Sequence, residues 1–211
     1  MADYVRTQQR GVPDSMQSRY RDMGDGTHAL VIATYETAHT LSIDEITGAL
    51  NAIDIVHHEI HEGEFFSVSY KTPDDGSLAD NGTIVFALTP ATKYVHMIAA
   101  AACGGDAEAE FYEVSTVTGG TATTPRNHNR NSSDNSDVTV VRDPTVNTAG
   151  TLLEHAFLPG GTGGNAVGTV GSQRQEWILR PAITHVVRLT NRAGNAQPGS
   201  LTVTWYEESD N

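Results

Sequence analysis

Two stretches of strict alternation set the reading of this chain. In Phe65-Phe-Ser-Val-Ser-Tyr70 the even positions Phe66, Val68 and Tyr70 fall on one face, with Ser67 and Ser69 on the other. In Leu201-Thr-Val-Thr-Trp-Tyr206 the odd positions Leu201, Val203 and Trp205 share a face and the threonines oppose them. A period of two places successive side chains on opposite sides of a pleated strand, so each stretch predicts a strand with one buried face. The same reading predicts strands over Ile53–Ile60, Glu64–Lys71, Thr83–Leu88, Tyr94–Ala100, Ala107–Val114, Asp137–Arg142, Thr151–Phe157, Gln173–Arg180, His185–Asn191 and Ser200–Tyr206. Between them stand Pro73-Asp-Asp-Gly, Asp80-Asn-Gly, Cys103-Gly-Gly-Asp, Thr118-Gly-Gly, Pro159-Gly-Gly and Gln197-Pro-Gly, whose glycines and Asn-Gly supply the positive φ that hairpin turns need. Short strands spaced by such turns predict an all-β, antiparallel β-sandwich or jelly-roll-like domain.

The first part of the chain reads differently. Residues 1–30 isolate their apolar side chains among Gln, Arg and Pro, with no sustained period, and are expected to form an extended N-terminal arm that orders on a partner. Residues 31–52 form a connecting segment, with a short strand in Ala29–Tyr35 and a capping-box pattern, Ser42-Ile-Asp-Glu45, that predicts one or two helical turns through Leu50. The sandwich spans 53–208 and carries a long polar loop or hairpin at 116–137, rich in Thr, Asn and Ser and expected to project because it has little to bury.

Composition agrees with a β body: 25 Thr and 18 Val stand against 11 Leu in 211 residues. The formal charge of −13 is unevenly placed, with net 0 over residues 1–35, −12 over 36–113 and −1 over 114–211. An excess of negative charge repels phosphate backbones and argues against a nucleic-acid partner. Lys71 and Lys93 are the only lysines, so the positive charge sits on 11 arginines, which favour planar, multidentate contacts. Cys103 stands alone and makes neither a disulfide nor a thiolate cluster. The apolar run Met97–Cys103 is too short to span a bilayer, and the N-terminus lacks the apolar stretch of a secretory signal, so no membrane association is expected.

No catalytic constellation emerges from this pattern. There is no Gly-x-Ser-x-Gly elbow, and Cys103 has no adjacent base. Glycines 160–171 lack both the Lys-Ser/Thr ending of a phosphate loop and a dinucleotide fingerprint. The titratable cluster His57-His-Glu-Ile-His-Glu62 is one residue short of the zincin spacing; on a strand, His57, Glu59 and His61 would share a face. The expectation is a polar strand-end or interface cluster, with no metal, no cofactor and no enzymatic activity. In the polar segment, Arg126, Asn127, His128, Asn129 and Arg130 are candidate subunit-interface residues, the arginines being free to pair with acids of the middle third of a neighbour. Arg188 and Arg192 are assigned a similar interfacial role.

The order Val56-His-His-Glu-Ile-His-Glu-Gly63, Tyr94-Val-His-Met-Ile98, Phe111-Tyr-Glu, Thr124-Pro-Arg-Asn-His-Asn-Arg-Asn-Ser, Glu176-Trp-Ile-Leu-Arg-Pro, Leu189-Thr-Asn-Arg-Ala-Gly and Thr204-Trp-Tyr-Glu resembles virion structural proteins of tailed bacteriophages. Among these it is most similar to capsid decoration, or cement, proteins. The resemblance implies a non-enzymatic protein on the outside of an assembled head, made in the host cytoplasm. Its partner would be the phage's major capsid protein, and its form a homo-oligomer, a trimer being favoured, that clamps neighbouring capsomers. Within that expectation Tyr4, Arg6, Arg10, Arg19, Tyr20 and Arg21 of the arm are the candidate capsid contacts. Two other readings stand beside it: an adhesin whose jelly roll binds a carbohydrate or host receptor, and a metal-dependent enzyme built on His57, Glu59 and His61.

Overall fold

A computed structural model describes residues 55–72, 78–160 and 176–208 in full, and within 1–54 and 161–170 the backbone of short strands. The chain divides into two compact units, residues 1–53 and 54–211. In the first, β1 (Val5–Arg6), β2 (Arg19–Asp22) and β3 (His28–Val31) form an antiparallel sheet in that order. Two further strands, β4 (Ser42–Ile43) and β5 (Leu50–Asn51), pair antiparallel, with Ser42 opposite Asn51. The helical turns expected after Ser42 fall on residues 44–49, outside the described residues, as does most of the stretch read as an arm.

The second unit is an antiparallel β-sandwich. It opens with a helix, α1 (Ile55–Glu62), followed by β6 (Phe65–Lys71), β7 (Thr83–Pro90), β8 (Tyr94–Cys103) and β9 (Ala107–Glu113). Four short strands come next, β10 (Thr116–Thr118), β11 (Thr121–Thr123), β12 (Arg126–Asn127) and β13 (Val138–Arg142), and then β14 (Thr145–Thr148) and β15 (Thr151–Leu158). The last four are β16 (Gly168–Val170), β17 (Trp177–Leu179), β18 (His185–Asn191) and β19 (Gly199–Glu208). One sheet has the order β11-β13-β7-β18-β9-β15; the other runs β12-β6-β19-β8-β16, with β17 also pairing β8. From β6 to β9 each strand lies in the sheet opposite to its predecessor. The turns expected to close hairpins therefore carry the chain across the sandwich instead; Cys103-Gly-Gly-Asp, for example, leads from β8 in one sheet to β9 in the other.

The alternation read from the sequence faces the core. Phe66, Val68, Leu201, Val203 and Trp205 are buried between the sheets, together with Ile84, Phe86, Leu88, Val95, Met97, Leu158, Leu179 and Leu189. Burying each such side chain contributes about 1.5–3 kcal/mol, which holds the domain without cross-links. A second, smaller cluster lies on the outer face of the first sheet, where Val117 and Val146 pack against Val85, Ala87, Tyr112 and Val186, with Val141 of β13 beside them. The ribbon β10–β14 thus forms a partial third layer. That cover explains why β7 is apolar on both faces rather than alternating.

Two expectations are corrected here. Ile53–Ile60 is not a strand: Ile55–Glu62 is helical. The helix ends in a Schellman motif, in which Gly63 N–H donates to Ile60 O at 3.2 Å and Glu64 N–H to Glu59 O at 2.9 Å. Gly63 has φ +84°, and a Cβ there would lie 2.6 Å from Ser132 Oγ, so the position needs glycine. The segment 116–137 does not project as a hairpin. It is laid along the body, β10 pairing β14, β11 pairing β13, and β12 pairing β6 at the edge of the other sheet.

Candidate functional site

The edge formed by β12 and β6 gathers most of the interface residues expected from the sequence. Arg126 stands opposite Ser67 and Asn127 opposite Phe66 in the ladder. Arg126, Asn127, His128, Arg130 and Ser67 line an open groove of about 430 Å³. Its floor is fixed by Asn127, which is buried; its Nδ2 donates to Gly63 O at 2.7 Å and Asp134 O at 3.3 Å, and its Oδ1 accepts from Asn129 N–H at 2.8 Å. Asn129 in turn donates from Nδ2 to His61 O at 2.9 Å and accepts at Oδ1 from Asn131 N–H. Asn127 and Asn129 therefore serve as local backbone mimics that hold the loop against the end of α1, a role for which their short amide side chains are suited. Asn129 belongs to this scaffold rather than to the groove lining.

His128 sits edge-on to Phe65, with ring centroids 4.6 Å apart, and its Nε2 lies 2.9 Å from Ser67 Oγ. Burial lowers its pKa, so near neutral pH the groove's positive charge comes from the two arginines. Those arginines differ from the others that the structure describes. Arg142 lies 3.3 Å from Asp143, Arg180 3.6 Å from Glu113, and Arg188 and Arg192 each 2.8 Å from Glu110 and Glu108. Arg130 Nη1 donates to Asn127 O at 3.3 Å, and neither it nor Arg126 has a carboxylate within ion-pair distance among the described residues. Arg188 and Arg192, assigned a similar interfacial role from the sequence, each pair with an acid of their own chain. Arg188 is held further by Tyr112, whose hydroxyl accepts from Nη2 at 2.8 Å and donates to Glu110 Oε1. Burial would raise the Glu110 pKa, but the Tyr112 and Arg188 hydrogen bonds outweigh it and hold the carboxyl below its ordinary value.

Other polar groups are clustered within the sandwich unit. Glu207 is buried and accepts from Ser136 Oγ, from Asp137 N–H at 2.9 Å and from Trp205 Nε1 at 3.0 Å. Asn191, fully buried, donates to Leu78 O, Ala79 O and Asn195 O. Glu207 is held by both side-chain and backbone donors, and the Asn191 amide by three backbone carbonyls, as buried polar groups require. His96 stacks on Tyr206 with centroids 4.4 Å apart; its Nδ1 is 2.5 Å from Glu176 Oε1, and Tyr206 OH donates to the same oxygen at 2.8 Å. Burial and the Glu176 hydrogen bond raise the Tyr206 pKa. No sequence signal joins positions 96, 176 and 206; the β8–β19 register sets His96 opposite Tyr206, and β17, pairing the other side of β8, brings in Glu176 just before it.

On α1 the helical period regroups the histidines. His57 and His61, four residues apart, bring Nε2 to within 3.0 Å of Nε2, while His58 approaches Glu59 and Glu62 at 3.3 Å each. The trio His57, Glu59 and His61 expected on one strand face is not formed, since Glu59 turns inward and is buried. Of the candidate capsid contacts, Arg6, Arg19, Tyr20 and Arg21 fall on the backbone strands β1 and β2, and Tyr4 and Arg10 lie outside the described residues. Among the described residues no helix is long and apolar enough to cross a membrane. Comparison with protein-family models, with curated proteins and with solved structures finds no match to this chain, so the chemistry of the site carries the functional reading.

Proposed function

We propose that this chain is a non-enzymatic structural protein that decorates the outside of an assembled phage head, bound to the major capsid protein as a homo-oligomer. The observation that carries the reading is the groove at β12–β6. In a chain with twice as many acids as bases, Arg126 and Arg130 have no carboxylate within ion-pair distance among the described residues, while the other described arginines are matched. Two guanidinium groups beside Asn127 and Ser67 are suited to take a carboxylate from a neighbouring subunit through charge-assisted, bidentate hydrogen bonds. Saturated buried polar groups such as Glu207 and Asn191 support a structural rather than catalytic role. Many such contacts repeated over a lattice add through multivalency, so each can be weak.

Cosedimentation with empty expanded capsids tests the proposal. Full-length protein is expected to pellet with the capsids, and Arg126→Glu combined with Arg130→Glu to stay in the supernatant. Absence of binding by the unaltered chain sinks the reading. Removal of residues 1–53 tests the arm separately: undiminished binding would take the capsid contact away from Tyr4, Arg6, Arg10, Arg19, Tyr20 and Arg21. Sedimentation equilibrium of the free protein checks the trimer. A second reading, a carbohydrate-binding adhesin, is favoured by the same groove, whose Arg, Asn, His and Ser side chains match the hydroxyls and carboxylate of an acidic sugar. Micromolar binding of a sialylated or uronic-acid glycan, abolished by the same double substitution, would establish it.

A further inference from the structure

We propose that α1 carries a site for a divalent transition-metal ion, chelated by Nε2 of His57 and Nε2 of His61. The two imidazoles stand one helical turn apart and are exposed, and their Nε2 atoms converge to 3.0 Å with the rings inclined at 69°. Two imidazoles whose Nε2 atoms converge are a chelate: a metal takes the place of the N–H that bridges them. The separation fits known bond lengths. Two nitrogens each about 2.05 Å from a metal are about 2.9 Å apart when cis in square-planar or octahedral geometry, and about 3.3 Å apart in a tetrahedron. The observed spacing therefore suits Cu²⁺ or Ni²⁺ directly, and Zn²⁺ after a small rotation about the side-chain bonds. Cu²⁺ is expected to bind tightest, following the usual order of first-row affinities.

The site is built into the helix rather than left to chance rotamers. The Schellman end at Gly63 fixes the last turn, and Asn129 Nδ2 donates to the His61 carbonyl at 2.9 Å, tying that residue to the loop 127–134. On binding, the ring that donates in the metal-free pair changes tautomer, its proton moving through water from Nε2 to Nδ1, and no proton is released. Water completes the coordination, since both rings face solvent. The neighbouring His58, Glu59 and Glu62 form a separate cluster whose ligand atoms lie within 4.8 Å of one another.

Equilibrium dialysis of the tag-free full-length chain against CuCl₂, NiCl₂ and ZnCl₂ tests the assignment. One ion per chain that depends on the pair is expected, with Cu²⁺ the tightest. His57→Gln and His61→Gln should each weaken binding at least about tenfold, since loss even of an outer-shell partner of a ligand costs that much. His58→Gln should leave it unchanged. Thermal melts of the three variants verify folding, and the Cu²⁺ EPR spectrum of the unaltered protein gives an independent readout, in which hyperfine coupling to two imidazole nitrogens is expected. Absence of stoichiometric binding at millimolar metal overturns the proposal. So does binding that survives both His57→Gln and His61→Gln, or that is lost in His58→Gln instead.

Discussion

Single residues decide several features of this fold through backbone geometry and burial. Gly150 has φ +82°, and a Cβ there would strike the carbonyl oxygens of Glu113 and Val114 where β14 turns into β15. Gly150→Ala is expected to cost at least about 2 kcal/mol in urea unfolding, because neither the φ nor the backbone contact can relax cheaply. Val114 presents the reverse case. It is a β-branched residue at φ +58° and half exposed, so Val114→Gly relieves left-handed strain with little loss of burial and should stabilise by about 1 kcal/mol in the same assay. His185 is buried against Phe111, and burial lowers its pKa from 6.5. The unfolded chain then takes up a proton that the native state refuses. His185 thus leaves stability whole above the ordinary histidine range and erodes it as the pH falls through 6.5, by up to about 1.4 kcal/mol per pH unit. In His185→Phe that part of the stability–pH curve should flatten; an unchanged slope would show that His185 does not contribute it. A further loss at lower pH is expected from Glu110 and Asp137, both held below their ordinary values and protonated only in stronger acid.

At the scale of elements, local pattern and tertiary need coincide in some places and part in others. The strands at Phe65–Lys71, Thr83–Pro90, His185–Asn191 and Gly199–Glu208 were legible because apolar and polar residues report burial directly. α1 was not. Val, Ile and His are all tolerated in strands, and the deciding signals were the i, i+4 spacing of Val56 and Ile60 and the glycine after Glu62. The Arg126–Arg130 cluster was visible in the composition, yet its groove needed β12 to pair with β6, some 60 residues earlier in the chain, a contact that no local pattern encodes. The join between β13 and β19 is similarly non-local. Glu207 receives Asp137 N–H, Ser136 Oγ and Trp205 Nε1, while Asp137 receives Lys93 N–H at 2.9 Å and Thr92 N–H at 2.6 Å. Glu207→Gln presents an amide N–H₂ to donors and should cost about 2–3 kcal/mol, measured by chemical denaturation. Glu208→Gln, on the exposed side of the same strand, should stay within about 0.5 kcal/mol.

For the molecule as a whole, the division at residues 53/54 predicts a self-sufficient sandwich. A chain of residues 54–211 should show one cooperative transition within a few degrees of the one that full-length protein shows for its β-sandwich, measured by calorimetry; a molten or unfolded product would refute the division. The distribution of charge acquires a structural meaning at this scale. Acids of the middle third are matched across β9 and β18, where register sets Glu110 opposite Arg188, and Arg192 at the end of β18 reaches Glu108, so part of the sequence's charge imbalance is neutralised inside the chain. By itself the sequence determined the class of fold, its lack of cross-links and the faces that enter the core, because alternation and turn chemistry are properties of neighbours along the chain. Tertiary structure alone decided that strands β6 to β9 alternate between sheets, which of the described arginines find carboxylates among the described residues, and that His57 meets His61. Each of these depends on residues far apart in sequence, or on a choice between helix and strand that packing and the Gly63 cap settle.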